Sequence, residues 1–314
     1  MTDNFHGIRI AVLVPCFNEE GAVGKVVRDF RQHLPTASIY VYDNASTDGT
    51  AAEAREAGAI VRTESTRGKG NVVRRMFTDV DADCYVMIDG DDTYDPSSAP
   101  RLVRRLLDSG LDMVVACRVS DDQDASYRPG HVWGNRMLTG LANFFFGRGF
   151  TDMLSGYRAF SHRFVKSFPV LGTGFEIETE MTIHALSMSM PSAEIQTPFH
   201  ERATGTESKL RTYRDGFRIL GTMLRLFKDY RPMQFFGISS FILMLVAVIL
   251  FIPIGIEFSR TGLVPRFPTA ILCTGLALSS LLALTCGFIL DSVARERLEA
   301  KRLAYLAISG EANR

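Results

Sequence analysis

Two stretches of this chain contain no charged residue, one between Arg231 and Glu257 and the other between Arg266 and Asp291. Each runs for about 24 residues, and about 20 apolar residues in a helix cross a bilayer. A core helix of a soluble domain is the competing reading, but two such runs joined by a short loop exceed what a core helix needs. Residues 232–290 are therefore expected to form a two-helix transmembrane hairpin, and what precedes it a separate soluble part. Arg225, Lys228 and Arg231 stand before the first run, and Arg295, Arg297, Lys301 and Arg302 follow the second. The connecting loop carries only Arg260 and Arg266, opposed by Glu257. The positive-inside rule places both chain ends, and the soluble part, in the cytoplasm.

Composition narrows the rest. Lys plus Arg and Asp plus Glu both number 35 of 314 residues, so net charge gives no basis for a nucleic-acid partner. Five scattered cysteines with no Cys-x-x-Cys pair suit a reducing compartment. The first apolar run, Ile8 to Val14, is too short for a secretory signal and ends in ProCysPheAsnGluGlu, with no small-residue cleavage site.

Before residue 209 the pattern alternates between strand and helix. Ile8–Val14, Ile39–Tyr42, Ala59–Arg62, a run ending at Asp89, and Met113–Cys117 read as strands. Helical spacing follows the first at Val23, Val26, Val27, Phe30 and Leu34, reappears from about Val72, and again over Leu102–Leu107. Thr50 with Glu53 reads as a capping box opening the second helix. Such alternation predicts an α/β fold with a doubly wound, mostly parallel sheet, which binds ligands at the carboxyl ends of its strands.

Those ends collect the polar residues. CysTyrValMetIleAspGlyAspAspThrTyrAspPro at 84–96 delivers Asp89, Asp91 and Asp92 into one loop. Hard carboxylate oxygens favour Mg²⁺ or Mn²⁺, with substrate phosphates completing the shell. Asp and Gly are also ordinary turn residues. Asp43 and Glu19 can accept from a base or a ribose hydroxyl, while Lys69 with Arg67 can meet phosphate charge. Each also has a plain turn or helix-start reading.

These residues together resemble a family 2 glycosyltransferase of the GT-A fold, of the polyprenyl (dolichyl) phosphate sugar synthase type. The resemblance is carried by ValProCysPheAsnGluGlu (14–20), AspAsnAlaSerThrAspGlyThr (43–50), GlyLysGly (68–70) and AspGlyAsp (89–91). Further on it is carried by AspMetLeuSerGlyTyrArgAlaPhe (152–160), GlyPheGluIleGluThrGlu (174–180) and GluArgAlaThrGlyThrGluSerLysLeu (201–210). It implies that Pro15, Phe17, Glu19, Asp43 and Lys69 hold the donor, and that Asp89 and Asp91 hold ribose, Mg²⁺ or Mn²⁺, and diphosphate. Arg118, Asn135, Arg202 and Lys209 are implied at acceptor and donor phosphates, with Arg128 and His131 as candidate acceptor contacts. Asp152, Gly156, Arg158 and Glu178 would shape the sugar side. Some relatives carry a glutamine near the metal where this chain has Thr93.

The implied activity is transfer of a sugar from a nucleotide sugar, UDP favoured over GDP, to polyprenyl phosphate, with inversion. A phosphate monoester, with its second pKa near 6, arrives already ionised and needs no strong base. Glu176, Glu178 and Glu180 are candidates for orienting the sugar, the plainer reading being that some face solvent on a helix. Tyr213, Phe217, Leu220, Leu224, Phe227 and Tyr230 form one stripe within 209–231, with Arg211, Arg214, Arg218, Arg225 and Lys228 on other faces. A basic amphipathic helix of this kind lies in a headgroup region. LeuAlaAsnPhePhePheGly at 141–147 is a second candidate membrane contact.

The expected organisation is a catalytic domain over 1–208, a juxtamembrane helix over 209–231, the hairpin over 232–290 and a cytoplasmic tail over 291–314. The tail's mixed charges suit helix pairing or self-association. Another lipid or glycan acceptor, and an idle membrane scaffold or homo-oligomer, remain open on the residues.

Overall fold

The computed structural model describes residues 5, 7–119, 140, 150–174, 176–200 and 212–308, with side chains from 220 onward in the last segment. The chain divides into two compact units, Met1–Thr222 with Arg302–Arg314, and Met223–Lys301.

In the first unit the elements alternate as β1 (Ile10–Cys16), α1 (Val23–His33), β2 (Ser38–Asp43), α2 (Thr50–Glu56), β3 (Ile60–Thr63), α3 (Lys69–Asp79) and β4 (Cys84–Met87). They continue with α4 (Ala99–Asp108), β5 (Met113–Val119), β6 (Arg158–Ser161), α5 (His162–Ser167), α6 (Ile177–Met188) and β7 (Ser192–Pro198). The sheet order is β3-β2-β1-β4-β6-β5-β7. Every pairing is parallel except those of β6, which runs against β4 and β5. This is the mostly parallel α/β sheet expected of a GT-A domain. The central strands are covered on both faces, so they read as continuous apolar runs. Val12, Leu13 and Val14 have no exposed surface, and burying each such side chain contributes about 1.5–3 kcal/mol.

The antiparallel β6 positions the site. Its first residue, Arg158, pairs with Met87 at the end of β4. The segment leading into β6, which carries Asp152 and Gly156, therefore arrives at the same edge as the carboxyl ends of the parallel strands.

The connections at that edge fasten one another. Asn44, 6% exposed, donates from Nδ2 to the carbonyls of Glu64 (2.9 Å) and Thr66 (2.8 Å), and its Oδ1 accepts from the Gly68 N–H at 2.7 Å. The expected capping box is absent. Gly49 stands at the N-cap of α2 without a side-chain cap, and Thr50 lies inside the helix. Glu53 instead reaches across to accept from the N–H groups of Gly21 (2.6 Å) and Gly24 (3.1 Å) at the start of α1, and Glu20 accepts from the Gly49 N–H at 2.9 Å. Each helix start is thus satisfied by a carboxylate of its neighbour, as orphan N–H groups require. Helix α3 also begins three residues before the hydrophobic periodicity shows, because Gly68, at a φ of 127°, breaks the chain and lets Lys69 open the helix.

The remaining helices are α7 (Thr212–Tyr230), α8 (Pro232–Thr261) and α9 (Phe267–Ala307). Both α8 and α9 are long and apolar enough to cross a membrane. Phe241, Ile249 and Leu282 are 67%, 55% and 66% exposed, unlike the side chains of a soluble core helix. The two helices touch where side chains are small or polar. Ser240 and Ser280 share a hydrogen bond of 2.9 Å, and a Cβ on Gly287 would lie 3.1 Å from that of Phe236, the close approach typical of membrane helix pairs. In α7, Met223, Leu226 and Phe227 are buried, whereas Leu224 is exposed beside Arg225 and Lys228. Helix α9 continues without a break through the charged stretch after Asp291.

Two outcomes follow. Asn44→Ala should lower stability by about 3 kcal/mol in a denaturant melt of the full chain, because it strands two carbonyls and an N–H. Asn44→Asp should not restore it, since a carboxylate cannot donate to the Glu64 and Thr66 carbonyls. The Asp83 carboxyl is held below the ordinary carboxylate range, first by hydrogen bonds from Arg9, with burial opposing. The stability it adds is complete above the unfolded value of about 3.9 and lost as pH falls through the lower folded value. The melting temperature should drop below about pH 4, and Asp83→Asn should remove part of that drop.

Candidate functional site

Three strand-end loops each hold one non-glycine residue in the left-handed region: Asn18 (φ 52°) after β1, Ala45 (φ 57°) after β2 and Asp92 (φ 57°) after β4. Each costs on the order of 1 kcal/mol and persists only where the surroundings fix it. Asn18 is fixed through its Oδ1, which accepts from the Thr47 N–H at 2.8 Å. Asp92 turns away to meet Lys25 of α1 at 2.6 and 2.7 Å. Of the three aspartates at 89–92, Asp89 and Asp91 are the pair that Lys25 does not take.

On the β1 and β2 side, Pro15 and Phe17 are half-buried, and Glu19 and Asp43 are 7% and 6% exposed. Asp43 accepts from the Ser46 N–H, and the Glu19 N–H donates to Thr50 Oγ1 at 2.8 Å. The Arg67 guanidinium lies 5.0 Å from the centre of the Phe17 ring. A flat aromatic face, a cation over it and a carboxylate at the strand end form a surface that suits a base and its ribose.

The charged centre lies one strand over. Lys69 Nζ sits 2.5 Å from Asp89 Oδ1 and 2.5 Å from Glu178 Oε1. The lysine and Glu178 side chains are 10% and 5% exposed, and that of Asp89 is 28%. Burial disfavours the Lys69 ammonium, but the two carboxylates outweigh it and raise its pKa. Burial, followed by the charge of Asp89, raises the Glu178 carboxyl against the pull of Lys69. The expectation that some of Glu176, Glu178 and Glu180 face solvent is overturned, since all three are buried. Glu176 accepts from the N–H groups of Thr173 and Gly174, and Glu180 from those of Leu171 and Gly172.

Asp91 Oδ1 accepts from the Thr93 hydroxyl at 2.6 Å and from the Thr93 N–H at 3.3 Å. Thr93, 5% exposed, therefore orients Asp91. The two carboxylates offer hard oxygen donors on one loop, and no group of three or more metal-binding side chains exists among the described residues. That donor set fits Mg²⁺ or Mn²⁺, which keeps positions for waters and substrate phosphates.

Arg118 donates from Nε and a terminal nitrogen to the two Asp152 oxygens, each at 2.7 Å, and lies 5.5 Å from the Phe199 ring centre. Asp152 is held in turn through its N–H by Glu194, which also accepts from Thr151. Gly156 is packed so tightly that an added Cβ would lie 2.4 Å from Asp89 Oδ2. Its N–H donates to the hydroxyl of Tyr94 at 2.9 Å, and burial pushes that phenol up to about 12. Arg158 lies wholly inside, donating to the carbonyls of Ser155 (2.9 Å) and Met153 (2.6 Å) and to Thr182 Oγ1 (2.9 Å). It braces the segment bearing Asp152 and Gly156 from beneath.

Arg128, His131, Asn135, Arg202 and Lys209, and the 141–147 segment, lie outside the described residues. Asn44, Tyr94, Thr93 and Glu194 were not among the site residues expected from the sequence. Two of them had a signal there: Thr93, which stands where some relatives carry a glutamine near the metal, and Asn44, an Asn directly after Asp43 at a strand end that also reads as a simple turn.

The family model described as glycosyl transferase family 2 matches residues 11–168, and the chain belongs to that family. It is 33% identical over 233 residues to glycosyltransferase AglJ of Haloferax volcanii, a match covering 74% of this chain and 76% of the relative. A protein of the same organism named dolichyl-phosphate hexose transferase is 27% identical, over 71% of this chain and 95% of its own length. Among solved structures, glucosyl-3-phosphoglycerate synthase from Mycobacterium tuberculosis, in complex with Mn²⁺, uridine diphosphate and phosphoglyceric acid, superposes with a TM-score of 0.59 at 24% identity. That match covers 70% of this chain and 79% of the other, and it bears on the fold.

Gly156→Ala forces a methyl group onto the Asp89 carboxylate. Glycosyl transfer should fall by about 10²-fold, the scale of an ångström misplacement, while the melting curve stays within a few degrees of wild type.

Proposed function

We propose that this protein is an inverting glycosyltransferase that moves one sugar from a nucleotide sugar to polyprenyl phosphate at the cytoplasmic leaflet. The observation that carries this reading is the strand-end edge where Asp89 meets Lys69, with Asp91, oriented by Thr93, on the same loop, in a chain with two helices long and apolar enough to cross a membrane. The relative named for dolichyl phosphate supports the acceptor class. The neighbour bound to Mn²⁺ and uridine diphosphate supports a divalent cation and favours a UDP-sugar over a GDP-sugar.

In this reading Phe17, Glu19 and Asp43 hold the nucleoside, with the Pro15 backbone at the edge of β1. Asp89 and Asp91 hold Mg²⁺ or Mn²⁺, which when bound neutralises the diphosphate leaving group. Lys69 supplies a further positive charge beside the same phosphates. Arg118, kept rigid by Asp152, presents a planar guanidinium that suits a phosphate monoester, and Arg128, His131, Asn135, Arg202 and Lys209 are proposed to help it. Gly156 and the braced Asp152 segment shape the sugar side. The acceptor oxygen is already ionised at neutral pH, so the work of these residues is to bring two anions together and orient them. Direct displacement by that oxygen inverts the anomeric centre. Glu178, buried against Lys69, orients the ammonium.

Residues 1–208 are proposed as the catalytic domain, 209–231 as an interfacial helix and 232–290 as the membrane hairpin, with 291–314 and the N-terminus cytoplasmic. The basic residues flanking the hairpin support that orientation.

The test is transfer of label from a panel of UDP- and GDP-sugars to polyprenyl phosphate by purified protein in detergent, with and without Mn²⁺. Metal-dependent, acid-labile label in the organic phase is expected, and Asp91→Ala should lower turnover by at least about 10²-fold. Label that enters only a neutral lipid acceptor would overturn the phosphate reading.

A further inference from the structure

Lys69 is anchored at its backbone, and its ammonium lies at the end of a long stem. A Cβ at Gly68 would stand 2.1 Å from the Thr173 carbonyl oxygen, and one at Gly70 would stand 2.2 Å from that of Gly172. The Gly70 N–H also donates to Thr173 O at 3.2 Å. The same 171–174 loop is clamped from the other side by Glu176 and Glu180, which flank Glu178 at the start of α6. One loop therefore fixes the roots of both Lys69 and Glu178. Their side chains are 10% and 5% exposed, and Asp89, at 28%, is the member of the triad that an arriving cation can reach.

One ammonium between two carboxylates leaves the triad a surplus negative charge, which attracts a cation. Yet one oxygen of the partly exposed carboxylate, Asp89 Oδ1, already accepts from Lys69. A divalent cation and the ammonium compete for it, and repel each other at contact distance.

We infer that Lys69 is a built-in counter-ion that occupies Asp89 until a nucleotide diphosphate arrives, and that Glu178 is the positioning residue that holds the ammonium in reach. The inference rests on the cation site proposed at Asp89 and Asp91. When diphosphate enters, the long lysine stem has a second anion to turn to, and the Asp89 oxygen is released to the cation. Cation and nucleotide then bind together. By linkage, each raises the affinity of the other by the same factor.

The test is Mn²⁺ binding to the full chain in detergent, read from the free-ion signal in electron paramagnetic resonance, alone and with UDP or GDP. Lys69→Met should bind Mn²⁺ alone about tenfold more tightly than wild type, and nucleotide should then raise that affinity by a smaller factor than in wild type. Glu178→Gln keeps the shape but removes one of the two carboxylate charges that hold the ammonium, which then leans more on Asp89, so Mn²⁺ alone should bind about tenfold more weakly. A purely structural triad would weaken binding in both variants. Lys69→Met with unchanged or weaker Mn²⁺ affinity overturns the inference, as does Glu178→Gln with unchanged or tighter affinity. If Lys69→Met melts as an unfolded protein, Lys69→Gln, which keeps a hydrogen bond to the carboxylates without the charge, carries the test and should likewise bind Mn²⁺ alone more tightly than wild type, weaker or unchanged binding overturning the inference. Wild type that binds Mn²⁺ with nucleotide but is indifferent to both substitutions loses the counter-ion and keeps the metal site. Wild type that binds no Mn²⁺ even with nucleotide loses both.

Discussion

Six strands of the sheet run one way and end at one edge, and the backbone groups they release there must find partners, because a buried N–H or carbonyl left alone costs about as much as a lost hydrogen bond. The structure meets that demand by lacing the loops to one another. Asn44 ties the turn after β2 to the turns before α3, while Glu20 and Glu53 exchange caps between α1 and α2. A loop set fastened in this way can hold left-handed residues at Asn18, Ala45 and Asp92, and so can aim side chains that relaxed loops would let wander.

The same lacing explains the chemistry of the edge. Lys69 reaches Asp89 because Gly68 and Gly70 allow α3 to start against the backbone of residues 172–173. Arg118 keeps its plane because Asp152 grips it with two short bonds, and Glu194 grips the segment that bears Asp152. Tyr94 and Arg158 support Gly156 and its neighbours from below. Substrate-facing groups are thus backed by buried polar contacts with short, specific geometry, which is how electrostatic preorganisation is built.

Much of this was legible in the residues. Apolar runs of strand length alternating with helical spacing gave the α/β class, and the two uncharged runs after Arg231 gave α8 and α9. The polar motifs at strand ends pointed to Glu19, Asp43, Lys69, Asp89 and Asp91 because carboxyl ends of parallel strands share an edge, while Pro15, Phe17 and Arg118 were implied by the family resemblance. Reading failed where a local pattern had a nonlocal partner. Thr50 and Glu53 carry the spacing of a capping box, yet Glu53 caps α1, since the two helix starts lie side by side. The plainer reading put some of Glu176, Glu178 and Glu180 in solvent on a helix, and all three are buried because loop N–H groups and Lys69 supply their partners.

The sequence alone determined the strand and helix periods up to Cys117, the order of those first five strands and their helices, and the two apolar segments, because these depend on residues near one another. The tertiary structure decided what each charge meets. That Asp92 pairs with Lys25 while Asp89 pairs with Lys69, that Arg158 is interior, and that β6 runs backward to bring Asp152 and Gly156 to the edge all follow from chain crossings between distant segments. Coulomb and hydrogen-bond energies depend on distances in space, and sequence separation does not set those distances.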